Sequence, residues 1–196
     1  MLIFDSINDS KLVEQLKSGA VGVIPTDTVY GLVCLAADQD AVTRLYAIKS
    51  RENKPGTIIA AGIDQLVELG IPRRYLVAVE QYWPNPISVV IPDNPELKYL
   101  DLGKMSLALR VPSEPGLKKL LENCSPLLTT SANPPGEPAA NNIVEAIEYF
   151  GEQVDFYVDG GDLSGQLPST IIRVIDDAVE VIRQGAVKIN EKGEIE

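Results

Sequence analysis

Short apolar runs alternate along the chain with segments whose apolar residues recur at helical spacing. In the first segment Leu12, Val13 and Leu16 form one stripe and Gly19 follows it, as at many helix ends. The same reasoning predicts helices over residues 8–18, 38–48, 63–69, 72–82, 114–122 and 143–150. Strands are predicted over residues 20–24, 57–61, 87–91, 106–111, 126–129, 154–158, 169–174 and 179–183. Strands that alternate with helices in this way predict an α/β fold.

No internal repeat or linker interrupts this pattern, so we expect a single domain over residues 1–187, followed by a polar, frayed tail over residues 188–196. Every apolar run is far shorter than the roughly 20 residues that a membrane-spanning helix needs, so no membrane association is expected. Cys34 and Cys124 stand in apolar settings, and the N-terminus carries no secretion signal. These features predict reduced thiols in a cytoplasmic protein.

Charge and composition exclude several kinds of chemistry. The 196 residues carry a formal net charge of -11 and include no histidine. Ser-His-Asp and Cys-His catalysis and histidine-ligated zinc are therefore excluded. The sequence pI of about 4.5 argues against avid nonspecific nucleic-acid binding, so any binding of tRNA is expected to be weak.

A basic cluster, Lys49, Arg51 and Lys54, follows the second predicted helix. On an acidic background such a cluster is suited to a small anionic ligand, because a long polyanion would be repelled by the rest of the surface. The alternative is a solvated helix end, where cations interact favourably with the helix dipole.

Hydroxyl-bearing and amide-bearing residues gather in two further loops. Residues 26–31 follow a predicted strand, at the edge where α/β sheets bind ligands, and residues 130–136 combine small polar side chains with prolines. Capped turns that bind no ligand explain the composition of both loops nearly as well.

Arg110 lies on a strand whose other residues pack in the core, so it is either a cation at the rim of the fold or a site residue. The chain has neither a P-loop nor a Rossmann fingerprint, so a bound nucleotide must be held by separate side chains.

Several of these segments together resemble one family, the short, single-domain YrdC-like threonylcarbamoyl-AMP synthases. The matching segments occur in the family's order and cover about residues 18–186. They are residues 24–32 (IPTDTVYGL), 49–55 (KSRENKP), 83–86 (WPNP), 109–112 (LRVP), 130–133 (TSAN), 136–138 (GEP), 169–170 (ST) and 182–185 (IRQG).

The resemblance implies a twisted mixed sheet flanked by helices, with a concave cationic cleft. It implies that L-threonine, bicarbonate and ATP give threonylcarbamoyl-AMP and pyrophosphate, and that partner threonylcarbamoyl transferase proteins use this product to modify tRNA. Lys49 and Arg51 would be catalytic. ATP would contact Lys49, Arg51, Lys54, Ser131, Asn133 and Arg183, and the threonine and carbamate would lie near Thr26, Thr28, Arg110 and Ser169.

The residue types suit such a reaction, because both reactants are anionic and the main barrier is charge repulsion and positioning. Fixed cations and oriented donors lower that barrier without a histidine base. Mg²⁺ is expected on the ATP phosphates, and the sequence announces no protein ligands for it.

Gly56, Glu114 and Pro135 depart from the residues usual in the family. They keep open a related carbamoyl transferase, or a paralogue with an unassigned substrate. An RNA-binding module is a third possibility, against which the low pI speaks.

Overall fold

The computed structural model describes residues 1–50, 54–92, 94–175 and 178–196. Within them ten strands form one sheet: β1 (Leu2–Phe4), β2 (Gly22–Ile24), β3 (Gly31–Leu35), β4 (Thr57–Ile59), β5 (Ile87–Pro92), β6 (Ser106–Arg110), β7 (Leu127–Ser131), β8 (Phe156–Val158), β9 (Thr170–Ile175) and β10 (Ala178–Arg183). The helices are α1 (Ser10–Lys17), α2 (Gln39–Ile48), α3 (Ile63–Glu68), α4 (Arg73–Val77), α5 (Lys98–Asp101), α6 (Pro115–Cys124) and α7 (Ile143–Phe150). Three short 3₁₀ turns lie at Glu80–Tyr82, Pro95–Leu97 and Gly151–Gln153.

The sheet is mixed, in the order β1-β8-β2-β3-β7-β4-β6-β5-β9-β10. Strand β8 pairs in parallel with β1 and β2, β4 with β6, and β5 with β9, while the remaining neighbours are antiparallel. Hydrogen-bonded strands of L-residues twist relative to one another, so a sheet of this width is strongly twisted. The predicted mixed α/β sheet flanked by helices is confirmed.

One face of the sheet is covered along most of its width by α2, α3, α4, α5 and α7. Their apolar residues, including Leu45, Leu66, Leu76, Leu100 and Phe150, belong to one buried cluster with sheet residues such as Leu32, Ile58, Leu109 and Ile172. Each fully buried Leu or Ile contributes about 1.5–3 kcal/mol, so this face supplies most of the hydrophobic stabilisation.

The opposite face is covered only in part. Helices α1 and α6 pack Leu12, Leu16, Leu117, Leu120 and Leu121 against Val33, Ile59 and Leu127 of the sheet. Thr129 pairs with Val33 and Thr57, and Arg110 pairs with Ile59, so these polar residues lie on the same face as the α1–α6 cluster. This face therefore changes from apolar to polar where the two helices end, and the cleft begins there.

Among the strands and α-helices of the described residues, three were not predicted. Strands β1 and β3 and the four-residue α5 lie in segments that the sequence left unassigned. The helix expected over residues 72–82 is instead α4 followed by the 3₁₀ turn Glu80–Tyr82. In the described part of the chain, none of the helices is long and apolar enough to cross a membrane.

The C-terminal tail is not frayed, so that expectation is wrong. Ile189 is buried and forms a β-bridge with Ile195. The Tyr82 hydroxyl donates a hydrogen bond to the Gly193 carbonyl at 3.1 Å, and Gln184 Nε2 donates to the Ile189 carbonyl at 2.8 Å. The polar composition of the tail concealed these anchors.

Candidate active site

A cleft of about 430 Å³ opens where α1 and α6 leave the sheet uncovered. Its walls include the loop after β2, the ends of β6 and β7, and the corner where the start of β9 lies beside the end of β10. Seven of the predicted site residues line it: Thr26, Thr28, Arg110, Ser131, Asn133, Ser169 and Arg183. Residues that are more than 150 positions apart in the sequence are thus brought to one depression.

The basic cluster divides in the structure. Lys49 is the C-cap of α2 and is buried, with its ammonium against the loop that follows β7. Lys54 is exposed and directly precedes Pro55, which lines the cleft. Arg51 lies outside the described residues. The interpretation of this segment as a merely solvated helix end therefore fails for Lys49.

The Lys49 ammonium contacts three oxygens. It donates to the Ser131 carbonyl and to Asn133 Oδ1, each at 2.6 Å, and also to the Asn133 carbonyl. Asn133 Nδ2 in turn donates to the carbonyls of Pro134 at 3.1 Å and Glu137 at 2.6 Å. The turn after β7 is thus held from both sides of the Asn133 amide.

The threonine loop is organised by its own hydroxyls. Thr26 Oγ1 donates to the Val29 carbonyl at 2.7 Å, accepts from the Thr28 amide at 3.2 Å and lies 3.0 Å from Thr28 Oγ1. Gly31, the first residue of β3, lies so close to β7 that a Cβ there would be only 2.6 Å from Thr129 Oγ1. The loop is both a capped turn, as the alternative held, and a wall of the cleft.

Arg110 pairs with a carboxylate that the sequence did not single out, that of Asp27. Arg110 Nη2 lies 2.9 Å from Asp27 Oδ1, and the two side chains are 4% and 3% exposed. Among the described residues neither Asp27 oxygen nor Arg110 Nε has an aligned hydrogen-bond partner. The pair is neutral overall but incompletely hydrogen-bonded, at the edge of the cleft.

Burial dominates the electrostatics of this pair. It raises the pKa of Asp27 although Arg110 opposes the shift, and it lowers the pKa of Arg110 although Asp27 opposes that shift. The guanidinium stays charged, because no protein environment deprotonates arginine at neutral pH. Arg110 is thus a buried cation with a buried counterion, and not a cation of the rim.

Arg183, on β10, reaches across to the start of β9. Its Nε and Nη2 donate to the Ser169 carbonyl at 3.1 and 2.7 Å, and Nη2 also lies 3.2 Å from Ser169 Oγ. Ser169 Oγ is 3.0 Å from Ser88 Oγ, which is fully buried. The residue Arg183 is exposed, but partial burial of its guanidinium lowers the pKa, and the positive charge of Arg110 adds to this effect.

Gly185 allows β10 and the tail to approach this corner. A Cβ at Gly185 would lie 2.1 Å from the Pro168 carbonyl oxygen, and the Gly185 amide donates to Thr170 Oγ1 at 2.9 Å. The Ala186 amide donates to the same Pro168 carbonyl at 2.9 Å. The route of the tail thus fixes the backbone that carries Ser169.

The departures from the family pattern have ordinary structural roles. Glu114 caps α6 and accepts from the amides of Gly116 and Leu117. Gly56 is required because a Cβ would lie 2.6 Å from the Thr129 carbonyl oxygen. Pro135 is exposed and is not among the residues that line the cleft.

The cleft therefore offers two guanidinium groups, one of them with a counterion, together with threonine and serine hydroxyls. Guanidinium forks recognise planar carboxylate and phosphate groups through paired hydrogen bonds. Asp27 is the functional candidate that sequence reasoning missed. The sequence feature that could have indicated this carboxylate is Arg110 itself, because an arginine buried within a packed strand is normally paired with a nearby acidic residue.

Comparisons with known proteins agree with this geometry. Residues 14–185 match the model of the Sua5/YciO/YrdC family, which carries the description telomere recombination. The threonylcarbamoyl-AMP synthase of Pseudomonas syringae pv. syringae (strain B728a) is 36% identical over 177 residues, which are 88% of this chain and 94% of that protein.

Two solved structures have the same fold over nearly the whole chain. E. coli YciO aligns with a TM-score of 0.77 at 28% identity and covers 94% of this chain and 93% of its own. P. abyssi Sua5 complexed with L-threonine aligns with a TM-score of 0.83 at 26% identity, and this chain spans 58% of that protein's length. The chain belongs to the Sua5/YciO/YrdC family.

Proposed function

We propose that this protein is an L-threonylcarbamoyladenylate synthase, a nucleotidyltransferase that converts L-threonine, bicarbonate and ATP into threonylcarbamoyl-AMP and pyrophosphate. The observation that carries the proposal is the convergence of Arg110, Ser131 and Arg183 on one cleft. The curated relative from Pseudomonas syringae bears the name threonylcarbamoyl-AMP synthase, and the P. abyssi relative was solved with L-threonine.

The amino acid and its carbamate are assigned to the side of the cleft that holds Arg110, Ser169, Thr26 and Thr28. The Arg110 guanidinium, whose charge Asp27 balances, suits a single carboxylate or carbamate. The threonine hydroxyls of the loop offer neutral donors and acceptors for a substrate hydroxyl.

The nucleotide is assigned to the other side of the cleft, where the Ser131–Asn133 turn forms the wall. Ser131 and Asn133 line the cleft there, and Lys54 stands beside Pro55. Arg183 is assigned to the nucleotide from the corner where it contacts Ser169. Arg51, which lies outside the described residues, is assigned to the phosphates from its position in the basic cluster. Arg51 remains the candidate for stabilising charge during the reaction, whereas the ammonium of Lys49, which was predicted to act with it, is directed at the turn after β7.

In this scheme the amine of threonine takes up carbon dioxide derived from bicarbonate and forms a carbamate. A carbamate oxygen attacks the α-phosphorus of ATP, the bond from this phosphorus to the bridging oxygen breaks, and pyrophosphate leaves. Both reactants are anionic, so the contribution of the protein is to hold them in line and to offset their repulsion. Arg110 and Arg183 provide fixed positive charge in the cleft, each with its orientation set by a neighbour.

A divalent cation, Mg²⁺, is proposed to enter with ATP, where it would neutralise phosphate charge. The described residues contain no group of three or more carboxylate, cysteine or histidine side chains that could hold a metal. Hydroxyl and amide oxygens line the cleft, and this donor set fits an ion that keeps several waters and binds mainly through substrate phosphates.

The product is proposed to pass to threonylcarbamoyl transferase proteins that modify tRNA in the cytoplasm. Cys34 and Cys124 are both buried free thiols, which is consistent with that compartment. Binding of tRNA by this protein itself is expected to be weak, because its formal net charge is -11.

The proposal is tested by supplying purified protein with Mg-ATP, bicarbonate and each amino acid in turn, and by following pyrophosphate release. Release should depend on both threonine and bicarbonate, and mass spectrometry should detect the mixed carbamic–phosphoric anhydride. Release that is indifferent to the amino acid would instead favour a related carbamoyl transferase.

The variant Arg51→Ala is expected to lower turnover on the order of 10²-fold or more, as loss of other preorganised charge stabilisers does. Full activity of this variant would remove Arg51 from the site. A titration with unmodified tRNA at physiological salt serves as the control for the RNA-binding alternative.

A further inference from the structure

The ammonium group of Lys49 is enclosed by the turn that follows β7. Lys49 is 4% exposed, and its Nζ reaches the Ser131 carbonyl, Asn133 Oδ1 and the Asn133 carbonyl. A lysine ammonium carries three N–H donors and no acceptor. Within the described part of the chain, each of these three oxygens can accept one of those N–H groups.

Such an arrangement has an energetic reason. An ammonium removed from water must recover its lost hydration from fixed acceptors, or it destabilises the fold strongly. The turn supplies those acceptors and is itself stabilised in return, because charge-assisted hydrogen bonds are stronger than neutral ones. The contact also joins the C-terminal end of α2 to the wall of the cleft, across 82 and 84 positions of sequence.

The Asn133 amide is equally committed. Its Oδ1 accepts from Lys49, and its Nδ2 donates to the carbonyls of Pro134 and Glu137. Pro138 and Ala139, one and two positions beyond Glu137, line the cleft. Lys49 and Asn133 thus form one polar unit that determines where the wall from Ser131 to Ala139 lies.

We propose that Lys49 is a positioning residue that acts on ATP through Asn133 and the turn, and not as a direct phosphate ligand. This inference rests on the proposed function and concerns how the nucleotide side of that site is built. It predicts that removal of Lys49 misplaces the wall for every adenine nucleotide alike. A direct contact to the α-phosphate would instead matter more for AMP than for adenosine, and a contact to the β- or γ-phosphate would matter more for ATP than for AMP.

The first test is a double-mutant cycle on binding, measured by calorimetry with Mg-ATP, with AMP and with adenosine, which has no phosphate. Lys49→Met and Asn133→Ala should each weaken ATP binding on the order of 10-fold, and the double variant should be about as weak as the worse single variant. The loss caused by Lys49→Met should be about equal for adenosine, AMP and ATP. Losses that multiply, or a loss that grows from adenosine to AMP or from AMP to ATP, would overturn the proposal.

Lys54→Met is the matched control, since it makes the same substitution at an exposed lysine beside the cleft. Its effect on ATP binding, whatever its size, should combine with that of Asn133→Ala by simple multiplication. If Lys49→Met combines with Asn133→Ala in that same independent way, the proposed unit of Lys49 and Asn133 does not exist.

The second test uses the unmodified chain and so does not depend on the folding of any variant. NMR of the lysine side-chain ¹⁵Nζ groups should show one slowly exchanging ammonium, whose shift changes little when ATP is added. An ammonium in fast exchange, or one whose shift changes strongly when ATP or AMP is added, would overturn the proposal. Nucleotide binding that behaves as expected without threonine-dependent pyrophosphate release would contradict only the proposed function.

Discussion

Two arginine–carboxylate pairs of this protein differ in how fully they are hydrogen-bonded. Arg44 Nη1 and Nη2 reach Asp155 Oδ2 and Oδ1 at 2.5 and 3.0 Å, and Asp155 Oδ2 also accepts from the Val21 amide at 2.9 Å. These two side chains are 42% and 35% exposed. Arg110 and Asp27 are almost wholly buried, yet they share one contact and leave three polar atoms without aligned partners among the described residues.

The usual expectation is the reverse, because buried polar groups are normally satisfied and exposed ones can use water. The exposed pair ties α2 to the segment before β8 and serves the fold. The buried pair lies beside the cleft, which Arg110 lines. Incomplete hydrogen bonding thus separates the pair beside the cleft, whose Arg110 is part of the proposed site, from the pair that joins two elements of the fold.

The largest expected effect follows from removing one partner of the buried pair. Arg110→Met leaves Asp27 buried without its counterion, so we expect a loss of about 3–5 kcal/mol in the free energy of unfolding. Threonine-dependent turnover should fall on the order of 10²-fold or more. Urea unfolding and pyrophosphate release measure the two losses, and unchanged turnover would place Arg110 outside the site.

Replacing both partners separates stability from activity. The double variant Asp27→Leu/Arg110→Met should return to within about 1–2 kcal/mol of the original stability, because apolar pairs often replace buried ion pairs without loss. Its turnover should remain as low as that of Arg110→Met. Recovery of turnover together with stability would mean that the pair serves only the fold.

A smaller effect is expected at the second guanidinium of the cleft. Arg183→Lys keeps the charge but loses the fork that holds the Ser169 carbonyl through Nε and Nη2. The expected loss is about 1.5–3 kcal/mol of transition-state stabilisation, or on the order of 10- to 100-fold in kcat/KM. Steady-state kinetics with varied threonine and ATP measure this loss. Unchanged kcat/KM in Arg183→Lys would mean that only the positive charge at this position matters and not the guanidinium fork.

The exposed pair should behave as a matched contrast. Arg44→Met is expected to lower the free energy of unfolding by about 0.2–1 kcal/mol, as is typical of pairs open to water, and to leave turnover nearly unchanged. Urea unfolding and the same pyrophosphate assay provide the measurements. A severe loss of turnover would contradict the division between the two pairs.

The smallest effect is a pH dependence at Asp155. Burial favours its protonated form, but hydrogen bonds from Arg44 and the Val21 amide outweigh this and hold the pKa of Asp155 below its usual 3.8. The charged carboxylate therefore contributes stability that is present above about pH 4 and is lost as the pH falls through the lowered pKa. Acid unfolding of Arg44→Met should show a flatter profile below pH 4 than that of the unmodified protein.

The spacing of apolar residues predicted the longer helices correctly. The predicted helices over residues 38–48 and 143–150 agree with α2 and α7 within one residue at either end. The apolar face of each of these helices is determined by the spacing of residues within the helix, so it can be read without knowledge of the tertiary contacts. The eight predicted strands all overlap observed ones, so the α/β class followed from pattern alone.

Strand β3 was missed because its sequence lacks the usual signal. Gly31–Leu35 lies in the middle of the sheet and is covered on both faces, so it shows no alternation of polar and apolar residues. The threonine cluster before it favoured a turn, and the strand begins where that turn ends. Strand β1 was missed for a different reason, since Leu2 and Ile3 lie exposed at the sheet edge.

The site residues could be predicted only as far as short motifs reach. Thr26, Ser131 and Arg183 do line one cleft, but nothing local indicates that Asp27 faces Arg110 across 83 positions. Lys49 illustrates the same limit, because a lysine at a helix end is usually solvated and here it is buried. Pairings of this kind depend on the register of distant strands, which a single sequence does not contain.

The close approach at Gly185 couples the C-terminal end of the protein to its chemistry. A Cβ at position 185 would lie 2.1 Å from the Pro168 carbonyl oxygen, so only a hydrogen atom fits there. The tail that follows is held by the hydrogen bond from the Tyr82 hydroxyl to the Gly193 carbonyl. A purification handle or fluorescent partner attached after Glu196 would therefore pull on the backbone beside Ser169. Attachment at Met1, beyond the exposed edge strand at the far side of the sheet, is the safer choice for anyone who assays this protein.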